Sequence, residues 1–227
     1  MIIAIDGPSG VGKGTVARAV ASALGIRHVD TGAMYRAVAW RAEQLGLLLD
    51  DEDQITQLAT TATIDVDGSR IVIDGADATQ AIRTPDIDRA TTRVARLARV
   101  REALVTRQRA MAEPDGVVME GRDIGTVVFP NADVKIYLDA SPEERARRRS
   151  HDPAHTSSQT QALADIAQAM QRRDENDRTR QASPLMVAPD ATTIDTTSLG
   201  IEQVVEQVMV MVGKVIESGS RSPSAKM

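Results

Sequence analysis

The chain has 227 residues, 42% hydrophobic and 26% charged, which allows one sizeable core and leaves two full domains cramped. Its net charge of -5 at pH 7 disfavours general binding of nucleic-acid polymers through an overall basic field. The absence of cysteine excludes a disulfide framework and a thiolate metal site, and no apolar run approaches the ~18 residues of a membrane helix.

Asp6 breaks the apolar start too early for a signal peptide, so the expectation is a soluble, cytoplasmic protein without membrane partners. The basic residues are lopsided: the lysines are Lys13, Lys135, Lys214 and Lys226, and the others are arginine. Arginine grips phosphate and carboxylate in a planar, bidentate way. Clustered arginines in an acidic protein point to small anionic ligands in a local pocket.

Residues 2–5 read as a buried strand, and Val16, Val20 and Leu24 then recur at helical spacing until Gly25 closes the helix. Between them run Gly7, Pro8, Ser9, Gly10, Val11, Gly12, Lys13, Gly14 and Thr15. Strand, glycine loop and helix are the context of a phosphate-binding loop. Backbone N–H groups and a helix N-terminus converge there on phosphate oxygens, and the lysine bridges the outer phosphates. Gly14 stands where the usual pattern has a hydroxyl ligand for Mg²⁺, and Thr15 follows one place later. Mg²⁺ would then rest mainly on phosphate oxygens and water, with no dedicated protein ligand set, which this ion tolerates.

Next comes D-T-G-A-M-Y-R, where a short strand leads into Asp30 and Gly32 lets the chain turn before an Ala-rich helix with Tyr35 and Arg36. Two readings stay open. Either Arg36 meets an acceptor phosphate, or Asp30 or Thr31 caps the helix and Arg36 lies in solvent. His28 reads as a packed side chain, because no second metal-type residue is patterned with it. Residues 63–75 alternate apolar and polar positions around Asp67-Gly68, a hairpin signal and hence antiparallel. This insert starts near Ala62 and ends near Thr84-Pro85, a capping residue and first-turn proline. Arg89, Arg93 and Arg96 read as surface.

Residues 116–121 and 133–140 read as core strands with helical neighbours, hence a parallel sheet with helices on both faces. Arg122 and Asp123 follow the first of these at its C-terminal end, where open α/β sheets bind ligands. Residues 147–161, with Pro153 and a Ser/Thr cluster, read as a mobile loop. Arg173, Asp177 and Arg180 are spaced i, i+4, i+7 on one helix face, a spacing that more often marks a solvated face. Ile201, Val204, Val205, Val208, Val212, Val215 and Ile216 form an amphipathic helix, and residues 218–227 read as a disordered tail.

The segments G-P-S-G-V-G-K-G-T, D-T-G-A-M-Y-R, V-R-E-A-L, E-G-R-D-I-G-T-V-V-F-P and R-R-D-E-N-D-R, in that order, resemble bacterial cytidylate kinases over about residues 2–210. The resemblance implies an α/β fold: a P-loop three-layer sandwich with a parallel core sheet, a small antiparallel monophosphate-binding insert and a short lid. It implies one kinase domain over residues 1–217, with the insert at about 62–92 and the lid at about 149–164. The implied reaction moves the ATP γ-phosphate to CMP or dCMP, with Mg²⁺, in a monomer.

Carried over by residue, Gly7 to Thr15 would hold ATP phosphates. Arg36, Arg122 and Arg180 would meet the acceptor phosphate, with Arg173 and Asp177 around the monophosphate and Asp177 on the sugar hydroxyl. Arg101, Asp123 and Thr92 would contact cytosine, and Thr31 and Tyr35 complete the CMP-binding set. Lys13, Arg122, Arg149 and Arg173 would be catalytic, with Arg148 and Arg149 as lid arginines. Thr92 departs from the family's serine and keeps the hydroxyl.

Cytosine selection also has a physical basis. Cytosine offers an amine at N4 and acceptors at N3 and O2, which suit a carboxylate such as Asp123 and an arginine such as Arg101. Uracil would meet the carboxylate acceptor to acceptor. The CMP phosphate is already ionised near pH 7, so catalysis needs positioning and charge neutralisation and no general base. The rival enzyme is a P-loop kinase for UMP or a hydroxy acid, with Asp123 as the base to test. A nucleotide-switched GTPase would need an N-K-x-D motif, which the chain lacks, and a purely structural nucleotide-binding module would leave the arginines without purpose.

Overall fold

The computed structural model describes residues 1–67, 70–112, 115–152 and 162–220. Its core sheet contains β1 (Ile2–Asp6) and β2 (Arg27–Asp30) from the start of the chain. A small second sheet follows, made of β3 (Ile64–Asp67), β4 (Arg70–Ile73) and β5 (Ala76–Asp77). The core sheet is completed by β6 (Val117–Gly121), β7 (Val134–Asp139) and β8 (Thr192–Asp195).

The core order is β2-β6-β1-β7-β8, and every pairing is parallel, with Ile5 opposite both Glu120 and Ile136. Parallel strands need crossovers, and the helices supply them. These are α1 (Lys13–Leu24), α2 (Thr31–Gln44), α3 (Glu52–Thr61), α4 (Pro85–Val94), α5 (Ala98–Ala110), α6 (Pro142–Ser150), α7 (Leu163–Thr179) and α8 (Ile201–Ser220).

Side chains alternate across a strand, so β1 feeds two cores. Ile3 and Ile5 join Val118, Ile136 and Leu138 beneath Val16 and Val20 of α1 and Val204, Val208 and Val212 of α8. Ala4, Val117 and Met119 face the opposite way, against Met34 and Val38 of α2 and Leu104 of α5. The result is the three-layer α/β sandwich expected from the sequence.

Several local expectations hold. Gly25 caps α1 at φ 65°, and the Thr84 side chain accepts from the Ile87 N–H at the start of α4, with Pro85 in its first turn. His28 is buried and lies 3.1 Å from Glu120 Oε1. The β3–β4 pairing is antiparallel, as the alternation requires. Its turn residue Gly68 and residues 153–161 of the expected lid lie outside the described residues.

Four expectations need correction. Residues 147–150 are not loop: they complete α6, which runs to Ser150. Gly32 does not turn the chain: it lies in the first turn of α2, which starts at Thr31. Its value is space, because a Cβ there would sit 3.1 Å from Asp30 Oδ1 and 3.2 Å from Arg36 Nη1. Arg180 is not on the helix face with Arg173 and Asp177; it is the residue past the end of α7, with extended backbone. The C-terminal helix continues to Ser220, so residues 218–220 are helical, and residues 221–227 lie outside the described residues.

Candidate active site

The C-terminal ends of β1, β2 and β6 open into one cavity of about 910 Å³. Position follows from the fold, since crossover connections leave a crevice at these strand ends.

The phosphate loop forms one wall, with Ser9 to Thr15 in the lining. Gly7 and Pro8 lie behind it. Gly7 has φ 146°, and a Cβ there would fall 2.1 Å from the Leu138 carbonyl oxygen, so close passage over β7 requires glycine. The Gly14 position has a similar cause. A Cβ at Gly14 would lie 3.0 Å from Glu120 Oε1, so a serine or threonine there would press on the Glu120 side chain.

Distant groups hold the loop. The Ser9 N–H and Oγ both donate to Asp174 Oδ1, at 3.0 and 2.9 Å. Arg145 pairs with the same carboxylate and donates to the Ser9 carbonyl at 3.1 Å. The Val11 carbonyl accepts from Thr196 Oγ1 at 3.2 Å and from Arg148 Nη1 at 3.3 Å. Lys13 is buried, and its Nζ donates to the Pro8 carbonyl at 2.6 Å. Burial, reinforced by the Arg122 charge, brings its pKa down to about 7.

Asp6 joins the loop's strand to the opposite wall. Its two oxygens accept from the backbone N–H groups of Ile124 and Gly125, at 2.8 and 2.7 Å. These amides belong to a single π-helical turn, Ile124–Val128, directly after Arg122 and Asp123. Burial raises the Asp6 pKa to about 6 against the effect of those two hydrogen bonds.

The other walls carry Thr31, Tyr35, Arg36, Thr92, Arg101, Arg122, Asp123, Arg149, Arg173, Asp177 and Arg180. Asp30 caps α2 by accepting from the Ala33 N–H at 3.0 Å, yet Arg36 does not go to solvent. Its Nε lies 3.2 Å from Asp88 Oδ1, so the capping half of the second reading holds and its solvent-facing half does not. Thr31 donates its hydroxyl to the Glu120 carbonyl at 2.7 Å. Arg122 pairs with Asp177 at 3.0 Å, which holds the Asp177 carboxyl below its ordinary range despite the opposing effect of burial.

Arg101 and Asp123 form a buried pair at 2.5 Å, and the Arg101 guanidinium lies 5.1 Å from the centre of the Tyr35 ring. Arg180 Nη2 is 3.8 Å from the other oxygen of Asp123. Among the described residues, the buried Arg101 Nε and Arg180 Nη2 have no hydrogen-bond partner. Buried donors without a partner are uncommon and are met by an ordered water, an ion or a ligand. The Thr92 hydroxyl donates back to the Asp88 carbonyl at 3.0 Å. Arg148 and Arg149 separate: Arg148 donates to the Thr196 carbonyl at 2.6 Å beside the phosphate loop, and Arg149 reaches Asp88, also at 2.6 Å.

The family model for cytidylate kinase matches residues 3–214. The chain belongs to the cytidylate kinase family. It is 46% identical to the cytidylate kinase of Desulfitobacterium hafniense over 96% of this chain and 94% of that one. It is 48% identical to that of Pelotomaculum thermopropionicum over 92% and 95% of the two chains, and 45% identical to that of Solibacter usitatus over 96% and 95%.

Sequence reasoning missed several side chains that build this cytidylate kinase family site. Glu120 lines the cavity, immediately before the glycine that precedes Arg122, and its place at the end of a core strand was the available signal. Asp174 stands next to Arg173 and looked like one more charge on a polar helix, although it is buried beneath Ser9. Asp88, Arg145 and Thr196 lie in stretches without a motif.

Proposed function

We infer that the chain transfers the γ-phosphoryl group of ATP to CMP or dCMP, giving CDP or dCDP and ADP, as a cytoplasmic monomer. Membership of the family supports the reaction. The observation that carries the reading is the Arg101–Asp123 pair, with a spare donor on each of Arg101 and Arg180, in the same cavity as Lys13. The pair offers cytosine an acceptor for its amine and donors for its ring acceptors. No helix among the described residues is long and apolar enough to cross a membrane.

In this reading the stretch Gly7 to Thr15 holds the ATP phosphates through the N–H groups of residues 10–15 and the Lys13 ammonium, with the Ser9 N–H kept by Asp174. Arg36, Arg122 and Arg180 hold the acceptor phosphate, with Arg173 beside it and Arg149 closing over the transferring group. Asp177 takes the sugar hydroxyl, and Thr92 and Tyr35 border the base. Residues 62–92 serve as the monophosphate-binding insert and 149–164 as the lid, followed by a tail from the end of α8.

Mg²⁺ fits the donors available. The Thr15 hydroxyl and the Glu120 carboxylate line the phosphate-loop wall, and no group of three His, Asp or Glu side chains among the described residues forms a cage. An ion there would take most of its ligands from phosphate and water, which suits Mg²⁺. When bound, it supplies charge neutralisation across the β- and γ-phosphates.

The test is ADP formation from ATP with CMP, dCMP, UMP, AMP and shikimate offered in parallel. CMP and dCMP are expected to be turned over fastest. Faster turnover of AMP or shikimate would remove the reading.

A further inference from the structure

Arg36, Arg149 and Arg173 come from α2, α6 and α7, and all three line the cavity. They meet on one carboxylate. Asp88 of α4 has Arg36 Nε at 3.2 Å and Arg173 Nη1 at 2.9 Å on Oδ1, and Arg149 Nη2 at 2.6 Å on Oδ2. Asp88 itself is not among the residues that line the cavity. One donor of each guanidinium is therefore turned toward Asp88, and a guanidinium has others to offer a ligand.

Three like charges in a part-buried cluster repel one another. Burial lowers the Arg149 pKa to about 10, Arg36 and Arg173 add to that, and Asp88 is the largest influence in the opposite direction. Without the shared carboxylate, solvation would draw these long side chains apart into water. Asp88 also ties α4 to α2, α6 and α7 through these three pairs.

We propose that Asp88 is a positioning residue that gathers Arg36 and Arg173 at the acceptor phosphate and Arg149 over the transferring group into one clamp. The proposal rests on the reading that the acceptor carries a phosphate. It differs from a competing role in which the carboxylate stands in the phosphate's own place. A positioning carboxylate strengthens phosphate binding, whereas a competing one weakens it.

The experiment compares wild type with Asp88→Asn, Asp88→Ala and Asp88→Glu in two assays. Steady-state kinetics gives KM for CMP, KM for ATP and kcat; calorimetry gives the affinity of the nucleotide-free protein for inorganic phosphate. Asp88→Asn and Asp88→Ala are expected to raise KM for CMP by about tenfold or more, from loss of charge-assisted contacts, with KM for ATP nearly constant. Phosphate affinity should fall in parallel, and Asp88→Glu should recover part of both. Tighter phosphate binding with a lower KM for CMP would overturn the proposal in favour of competition. Unchanged values, or equal losses for ATP and CMP with a lower unfolding temperature, would also overturn it. If wild type fails to phosphorylate CMP, the functional reading falls separately, and the phosphate titration still decides the role of Asp88.

Discussion

At one end of the cavity a single unbroken stretch, Gly7 to Thr15, presents backbone and one lysine. At the other end, Arg36, Arg101, Arg122, Arg149, Arg173 and Arg180 arrive from α2, α5, the turn after β6, α6, α7 and the residue beyond α7. The first wall is specified by local backbone geometry and needs few charges of its own. The second is an assembly of cations that would repel one another without Asp88, Asp123 and Asp177 among them. Backbone walls suit a phosphate chain common to all substrates, whereas side-chain walls can be tuned to one acceptor.

The largest expected effect breaks the backbone-built wall at its only cation. Lys13→Ala is expected to lower kcat by ~10²–10³-fold, the usual cost of losing one preorganised charge-stabilising group. The protein should remain folded, since burial already disfavours the charge on Lys13. Coupled-assay rates and a thermal melt check both halves. Near-normal turnover would show that this wall does not bind the ATP phosphates.

A smaller effect is expected in the side-chain wall. Asp123→Asn should lower the ratio of kcat/KM for CMP over UMP by roughly 10–100-fold, from loss of one charge-assisted hydrogen bond. An amide can turn its NH₂ toward a uracil oxygen, which the carboxylate cannot do. Because Asp123 also holds Arg101 at 2.5 Å, a loss common to both substrates is expected, and the ratio cancels it. An unchanged ratio would leave Asp123 as a support for the arginines only.

The smallest effect is a fraction of a proton, and it sharpens the contrast between the walls. With a pKa of about 7, Lys13 is mostly neutral at pH 8 in the free protein, and bound phosphate restores its charge. ATP binding at pH 8 should therefore take up protons, as read by calorimetry in two buffers of different ionisation enthalpy. Lys13→Ala should abolish the uptake. CMP binding should show none attributable to Lys13, because arginines do not titrate there. For folding the sign is also fixed: between about 7 and the ordinary value of 10.5 the unfolded chain binds the extra proton, so this group makes stability rise with pH across that window. ATP binding without Lys13-dependent proton uptake would mean that the amine is already charged in the free protein.

The same contrast explains what could be read from the sequence. The phosphate loop, the parallel strands and the hairpin are local patterns, so periodicity and glycine spacing locate them. Arg122 and Asp123 were legible because they follow a core strand at its C-terminal end. Arg36 was not, since whether it faces solvent or ligand depends on Asp88, which is brought near only by the packing of α2 against α4. Arg173 and Asp177 looked like a solvated helix face because burial by other elements leaves no trace in a helical spacing. Gly14 was legible as a departure from the usual pattern, but the Glu120 side chain that crowds it belongs to a strand distant in sequence.

The anchors of the phosphate loop have a consequence for the order in which the molecule is made. Ser9 is fastened by Asp174, 165 positions later, and the Val11 carbonyl by Thr196, 185 positions later. A ribosome therefore produces the loop well before its fasteners. Throughout most of translation the stretch exists without the groups that fix its carbonyls and amides. The loop thus reaches its final anchored form only when α7 and β8 have emerged, long after its own residues were joined.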